Sequence, residues 1–261
     1  MILLDPLAHP VIAHRGNRAF APENTVAAFA EAVALGADAV EFDVQLSRDG
    51  VPMVFHDSTL ERTTDGHGAV AAHSAAELAR LDAGANFTRD GVGSFPWRGR
   101  GVGIATFDEV IETLPRTLPC IVELKSAAAT EAMRRAIARH AIAHRVIVAG
   151  FDAAATRPLR GNGLALGAST PDVVHLLPRA LLGLRNRPVG WRALCIPPRW
   201  HGLPVPITAL ARSLRGSGAV CHVWTINDAA HALRLWRGGV QGVISDDPAL
   251  ILRTRHEAAL D

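Results

Sequence analysis

The sequence predicts an α/β fold, a TIM (β/α)8 barrel, and three observations carry that expectation. Short apolar runs suited to strands recur at 11–14, 39–44, 120–125, 146–150, 164–168, 193–196, 219–225 and 242–245. Helically spaced apolar residues mostly intervene, which argues for parallel strands, and eight such units argue for closure into a barrel. The length of 261 residues is what such barrels commonly use as one domain, so a single domain over 1–261 is expected. No glycine-rich dinucleotide fingerprint follows the first run, which disfavours a doubly wound open sheet.

In order, Val11-Ile12-Ala13 forms a strand that ends in His14-Arg15-Gly16. Asn24 reads as an N-cap, with Val26, Phe29, Ala30 and Val33 at helical spacing and Gly36 as the stop. Val40, Phe42, Val44 and Leu46 then alternate with Glu41, Asp43 and Gln45. Period two puts Glu41 and Asp43 on one face. Arg48-Asp49-Gly50 is turn chemistry, and 51–55 returns antiparallel, which sets His56 opposite residue 41 or 42. From 57 to 103 the pattern breaks down, apart from a short helix whose Ser74-Ala-Ala-Glu77 start has capping-box form. A stretch of that kind in a compact domain reads as a lid or binding insertion, and its Gly/Arg end at 98–103 as the mobile part. Thr106-Phe-Asp-Glu109 caps the next helix, and strand–helix alternation runs from Cys120 to the end.

The composition excludes several classes. A net charge of +2 leaves no electrostatic footprint for nucleic acid. No apolar run reaches the ~18 residues of a membrane span, so stable membrane insertion is not expected. Cys120, Cys195 and Cys221 each sit in an apolar run without a C-x-x-C pattern. They read as buried free thiols in a reducing, cytoplasmic setting. The oligomeric state is not legible.

On the barrel reading, polar residues collect at the C-terminal strand ends, the catalytic end of this fold. His14 and Arg15 end the first strand, Glu41 and Asp43 the second, and Glu123 and Lys125 the third. Trp224, Thr225 and Asn227 end the seventh, and Ser245 and Asp246 the eighth. Burying three carboxylates together is costly unless a cation neutralises them, and hard oxygen ligands favour Mg²⁺ or Ca²⁺. A cation flanked by Arg15, Lys125 and two imidazoles suits a phosphate ester, with the imidazoles moving protons. Lys125 is the only lysine in an otherwise arginine-rich chain, and a compact ammonium suits a tight phosphate site. Taken singly, each residue has a plainer reading. His14 could be structural, Arg15 a surface ion-pair partner, and Trp224 either a pocket wall or core packing. His140 and His144 read as solvent-exposed, and His67 and His73 as loop residues.

The ordered set resembles the glycerophosphodiester phosphodiesterase family. It comprises His14-Arg15-Gly16, Pro22-Glu23-Asn24-Thr25, Glu41-Phe-Asp43, Val54-Phe-His56-Asp57 and Glu123-Leu-Lys125. Arg62-Thr-Thr-Asp65-Gly66, Leu81-Asp-Ala-Gly84, Val223-Trp-Thr-Ile-Asn227 and Gly242-Val-Ile-Ser-Asp246 are similar to further family blocks. The resemblance implies a TIM barrel with a small insertion after the second strand. It also implies a divalent cation on Glu41, Asp43 and Glu123, an acid–base pair in His14 and His56, and a phosphate held by Arg15 and Lys125. The implied reaction hydrolyses small glycerophosphodiesters to an alcohol and glycerol 3-phosphate. Two alternatives stand beside it: a lysophospholipase D acting on lipid phosphodiesters, which would need an apolar face on 57–103, and a non-catalytic barrel that binds phosphorylated ligands. The chain departs from the family pattern at Ala105 in Ile104-Ala105-Thr106, at Gln241 and at Ser245.

Overall fold

The structure is a computed structural model that describes residues 1–89, 91 and 93–258. Asp90 and Val92 of the expected insertion, and residues 259–261 of the expected domain, lie outside the described residues. The elements in chain order are β1 (Val11–His14), α1 (Val26–Ala34), β2 (Ala39–Leu46), β3 (Pro52–Val54), α2 (Ala75–Leu78), α3 (Phe107–Thr113) and β4 (Cys120–Leu124). There follow α4 (Thr130–Arg139), β5 (Val146–Ala149), α5 (Ala153–Thr156), β6 (Ala165–Leu166), α6 (Thr170–Leu181) and β7 (Ala193–Ile196). The chain ends with β8 (Arg199–Trp200), β9 (Leu203–Pro204), α7 (Ile207–Ser213), β10 (Val220–Val223), α8 (Ala229–Gly238), β11 (Gly242–Ser245) and α9 (Pro248–Ala258).

Eight strands run parallel in the order β6-β5-β4-β2-β1-β11-β10-β7. The ring closes between β6 and β7 through a parallel bridge of Gly167 with Ala193, where Ala168 N donates to Ala193 O and Arg192 N to Leu166 O, both at 2.8 Å. The eight expected strands are all present, and the fold is the TIM barrel. β3 pairs antiparallel on β2 with Val44 opposite Val54, which continues to Phe42 opposite His56, as the turn spacing required. The short hairpin β8–β9 is an addition that the sequence did not reveal.

Period two sorts the side chains into two layers. Val40, Phe42, Val44, Cys120, Val122 and Leu124 point out to the helices and are buried there. Phe42 packs between Phe29 at 5.5 Å and Phe107 at 6.1 Å. Fully burying such a ring is worth roughly 1.5–3 kcal/mol. Ile12, Ala39, Ile121, Ile147, Ala193, Val220 and Ile244 point inward and fill the barrel, with Leu3 closing its floor. His222 also points inward, and its Nε2 lies 2.9 Å from Leu3 O. Gly242 must be glycine here, because a Cβ would lie 2.3 Å from His222 Nδ1.

The stretch from 57 to 103 has a small core of its own, in which Leu60, Val70, Leu78 and Ala83 pack on Met53 and Phe55. Trp97 Nε1 donates to Phe20 O at 3.0 Å and ties this segment to the loop after β1. Its Gly/Arg end is fastened by Arg98 Nε to Ala85 O at 2.8 Å and by Gly99 N to Asp82 Oδ2 at 2.7 Å. Among the described residues no helix is long and apolar enough to cross a membrane.

Candidate active site

One residue pitch above the apolar filling, the inward positions change character. His14 ends β1, Glu41 and Asp43 lie on β2, and Glu123 lies on β4 with Lys125 just beyond it. The register sets His14 beside Glu41 and Asp43 beside Glu123. The carboxylates of Glu41, Asp43 and Glu123 each offer an oxygen within 4.8 Å of the others. Lys125 Nζ lies 2.8 Å from Asp43 Oδ1 and 2.5 Å from Glu123 Oε1. Arg15 Nε makes an ion pair with Asp43 Oδ2 at 3.0 Å. Arg15 reaches that position because it and Gly16 both take positive φ, of 54° and 85°, so the chain doubles back at the strand end. A Cβ on Gly16 would stand 2.6 Å from the Ala28 backbone, so only glycine allows α1 to approach this turn.

The charges show what this cluster lacks. Burial, then Asp43 and Glu123, push the Glu41 carboxyl well above its ordinary range, and Arg15 and Lys125 only partly oppose them. Burial would also raise Asp43, but Lys125 and Arg15 overcome it and hold that carboxyl low. Burial raises Glu123, and its neighbour Asp43 adds to the effect against Lys125. Two buried carboxylates and a partly buried one thus face two side-chain cations. The donor set is all oxygen, close-set and short of positive charge, which fits a hard divalent cation.

Each expected histidine is backed by a carboxylate. His14 Nδ1 sits 2.6 Å from Asp246 Oδ1, and Asp246 also accepts from Asn227 Nδ2 at 2.9 Å and Arg18 Nη1 at 3.3 Å. His56 Nδ1 sits 2.5 Å from Asp57 Oδ1, and Asp57 accepts from Arg62 Nε at 2.5 Å. Gln45 Nε2 donates to the carbonyls of His56 and Asp57 and so fixes that turn against β2. With Nδ1 engaged, Nε2 is the ring atom each histidine has left for chemistry. Burial, with Lys125 and Arg15 nearby, holds the His56 imidazole below its ordinary value. Both histidines line a pocket of ≈ 50 Å³ together with Arg15, Glu41, Glu123 and Lys125. Trp224 also lines it and packs edge-on to Phe151 at 5.8 Å.

Two expectations need correction. Asn24 is not the cap of α1. Thr25 Oγ1 accepts from Ala28 N at 3.2 Å and caps the helix, whereas Asn24, at φ 60° and buried, donates from Nδ2 to Asp43 Oδ2 at 2.9 Å. Adjacent residues with the same capping chemistry concealed the difference. His140 is half-buried rather than exposed, with Nε2 2.8 Å from Asp108 Oδ1 and its ring against Phe107. α4 has ended before it, so His140 and His144 share no helix face. Sequence reasoning also missed Glu23, which accepts from Arg15 Nη1 at 2.8 Å, Arg18 Nε at 2.9 Å and Arg62 Nη2 at 2.7 Å. Burial would raise its carboxyl, but the bond from Arg62 and the charges of Arg15 and Arg18 hold it far below the usual range. Three arginines within fifty residues of one glutamate was the available signal. The cysteines are free, and burial pushes the Cys120 and Cys221 thiols up to about 12, so they are inert packing groups.

The chain matches the model of the glycerophosphoryl diester phosphodiesterase family over residues 14–161 and 182–250. It is 30% identical over 257 residues to a glycerophosphodiester phosphodiesterase of Caldanaerobacter subterraneus subsp. tengcongensis, covering 93% of this chain and 96% of that one. A putative glycerophosphodiester phosphodiesterase of Bacillus subtilis is also 30% identical, over 95% of this chain and 98% of its own. Among solved structures, the glycerophosphoryl diester phosphodiesterase domain of an uncharacterized Mycobacterium tuberculosis protein superposes with a TM-score of 0.81 at 25% identity, covering 96% and 99% of the two chains. An Oleispira antarctica phosphodiesterase, solved in complex with the product sn-glycerol-3-phosphate, gives 0.76 at 28% identity over 95% and 97%.

Proposed function

The chain belongs to the glycerophosphoryl diester phosphodiesterase family, and from that premise we propose that it hydrolyses glycerophosphodiesters to an alcohol and glycerol 3-phosphate with a divalent cation and two histidines. The observation that carries this reading is the charge-deficient triad of Glu41, Asp43 and Glu123, two of which line one pocket with two carboxylate-backed imidazoles. Those three side chains would hold Mg²⁺ or Ca²⁺, which when bound polarises a non-bridging phosphate oxygen. Lys125 and Arg15 orient the phosphate and offset charge that develops on it. One histidine takes a proton at Nε2 from the nucleophile, water or the neighbouring glycerol hydroxyl. The other gives its Nε2 proton to the departing alkoxide. Asp246 and Asp57 hold the rings in orientation and stabilise whichever imidazolium forms. Asn24 steadies Asp43, and Trp224 walls the pocket.

We read residues 1–261 as one catalytic domain, with 57–103 as its insertion, acting in the cytoplasm, where three unpaired thiols persist. The test is turnover of glycerophosphocholine by chelated protein. Activity should vanish with EDTA and return with Mg²⁺ or Ca²⁺. Hydrolysis that survives EDTA would remove the cation from the mechanism.

A further inference from the structure

Beside the pocket lies a groove of ≈ 250 Å³ walled by Val173, Val174 and Leu177 of α6, Ile196 of β7, and Trp200 and Leu203 of the β8–β9 hairpin. Its lining is overwhelmingly apolar, yet Val174 is 58% exposed, Leu203 72% and Trp200 38%. Exposed apolar residues gathered in one groove mark a binding face more often than scattered ones do. Phe151 and Cys195 line both the groove and the charged pocket, so the two spaces share a wall. Phe151 packs on Trp200 at 5.3 Å and on Trp224 at 5.8 Å, which makes an aromatic sill between them. A larger cleft of ≈ 470 Å³, lined by Arg18, Arg62 and Arg89, adjoins the pocket on the side of His14 and Arg15. Glu23 and Asp246 line it as well, but it is rich in charge and shares no lining residue with the pocket. The α6 wall falls between the two stretches that match the family model.

We propose that the groove binds an aliphatic chain on the alcohol of the glycerophosphodiester, so that the preferred substrates are glycerol 3-phosphate esters of long-chain alcohols. This rests on the hydrolase reading above and specifies its substrate. The glycerol phosphate unit is common to every such diester, and the alcohol is the part that varies. A specificity wall outside the charged pocket therefore meets the alcohol. The net reaction is unchanged: the bond from phosphorus to the alcohol oxygen breaks, and the oxygen of one water ends on phosphorus. One histidine passes the proton given up by the nucleophile to the solvent, while the other protonates the released alkoxide. The released alcohol leaves across the Phe151 sill.

The experiment compares kcat/KM for glycerophosphocholine and for butyl, hexyl and octyl esters of glycerol 3-phosphate, with Mg²⁺ or Ca²⁺ and below micelle formation. Each added methylene should raise kcat/KM about two- to fourfold until the groove is full. The Val174→Asp, Leu203→Asp double variant, changed at two exposed positions, should lower the octyl-to-choline ratio by roughly tenfold or more. Trp200→Ala should lower the same ratio if the double variant fails to fold. A flat chain-length series from an enzyme that still cleaves glycerophosphocholine would overturn the groove and leave the hydrolase reading standing. So would a preference for lysophosphatidylcholine, whose chain is on the glycerol, over the octyl ester. If no diester is cleaved, the hydrolase reading fails, and titration of tryptophan fluorescence with the octyl ester decides the groove. Binding that tightens with chain length and weakens in the double variant supports it, and equal binding of butyl and octyl esters overturns it.

Discussion

The rim of this barrel has two unlike arcs. From β11 through β1 and β2 to β4, the inward residues near the top are His14, Glu41, Asp43, Glu123 and Lys125, with Asp246 behind them. From β5 through β6 to β7 and β10 they are Ala149, Phe151, Ala168, Cys195 and Trp224. Backbone pairing and side-chain alternation are the same in both arcs. The charged arc is held by opposed charges and hydrogen bonds, each carboxylate answered by an arginine, a lysine, an asparagine or a histidine. The other is held by ring contacts and aliphatic packing. On the proposed function one scaffold carries a reacting half and a recognising half, and the fold dictates neither.

Several measurements would break or sharpen that division. The largest effect belongs to the imidazoles: His14→Ala and His56→Ala should each lower kcat on glycerophosphocholine by roughly 10²–10⁴ while the thermal midpoint barely moves. Full turnover in both variants would mean that the charged arc is structural only. Lys125→Met should come next, because it strips the ammonium from the buried Asp43 and the partly buried Glu123. Breaking such a pair costs on the order of 3–5 kcal/mol, to be read in urea unfolding of chelated protein, and added Mg²⁺ should recover part of it. A stability equal to wild type would show that the three carboxylates do not repel one another.

The apolar arc holds a buried imidazole. His222, fully buried beneath Trp224, is held down to about 4 by burial, against an ordinary value of 6.5. Its folded value is depressed, so the unfolded chain binds the proton first. Stability should be full above 6.5 and fall as pH drops from there through about 4, by a total on the order of 3 kcal/mol. His222→Gln should flatten that part of the pH–stability curve, and an unchanged slope would place the proton uptake elsewhere. The smallest effect expected is for Asn24→Ala, which removes a bond to Asp43 without removing charge. A loss of about tenfold in kcat/KM is expected, with a weaker response to added cation.

The two arcs also differed in how far the sequence disclosed them. The charged one was legible because unlike residue types at fixed offsets, such as Glu41 with Asp43 and Glu123 with Lys125, have few plainer explanations inside an apolar strand. The apolar one was not. Val174, Trp200 and Leu203 come from separate segments, and each taken alone reads as ordinary packing. The hairpin that carries two of them is four paired residues among prolines, too short for any periodic signal. The sequence points to 57–103 for any lipid-facing surface, and the apolar groove stands across the barrel instead. The supports behind the first layer were equally hidden: Asn24 and Glu23 act through contacts made by loops distant in sequence.

The seam of the ring deserves the final word for a practical reason. β6 contributes only two residues, and its link to β7 is one bridge with two flanking hydrogen bonds, all within the uncharged arc. A cylinder fastened loosely there can be re-cut, lengthened or fitted with a foreign segment between α6 and β7 without shifting a carboxylate. Diversification of what the protein accepts, by nature or at the bench, therefore has a place to start that leaves its bond-breaking apparatus untouched.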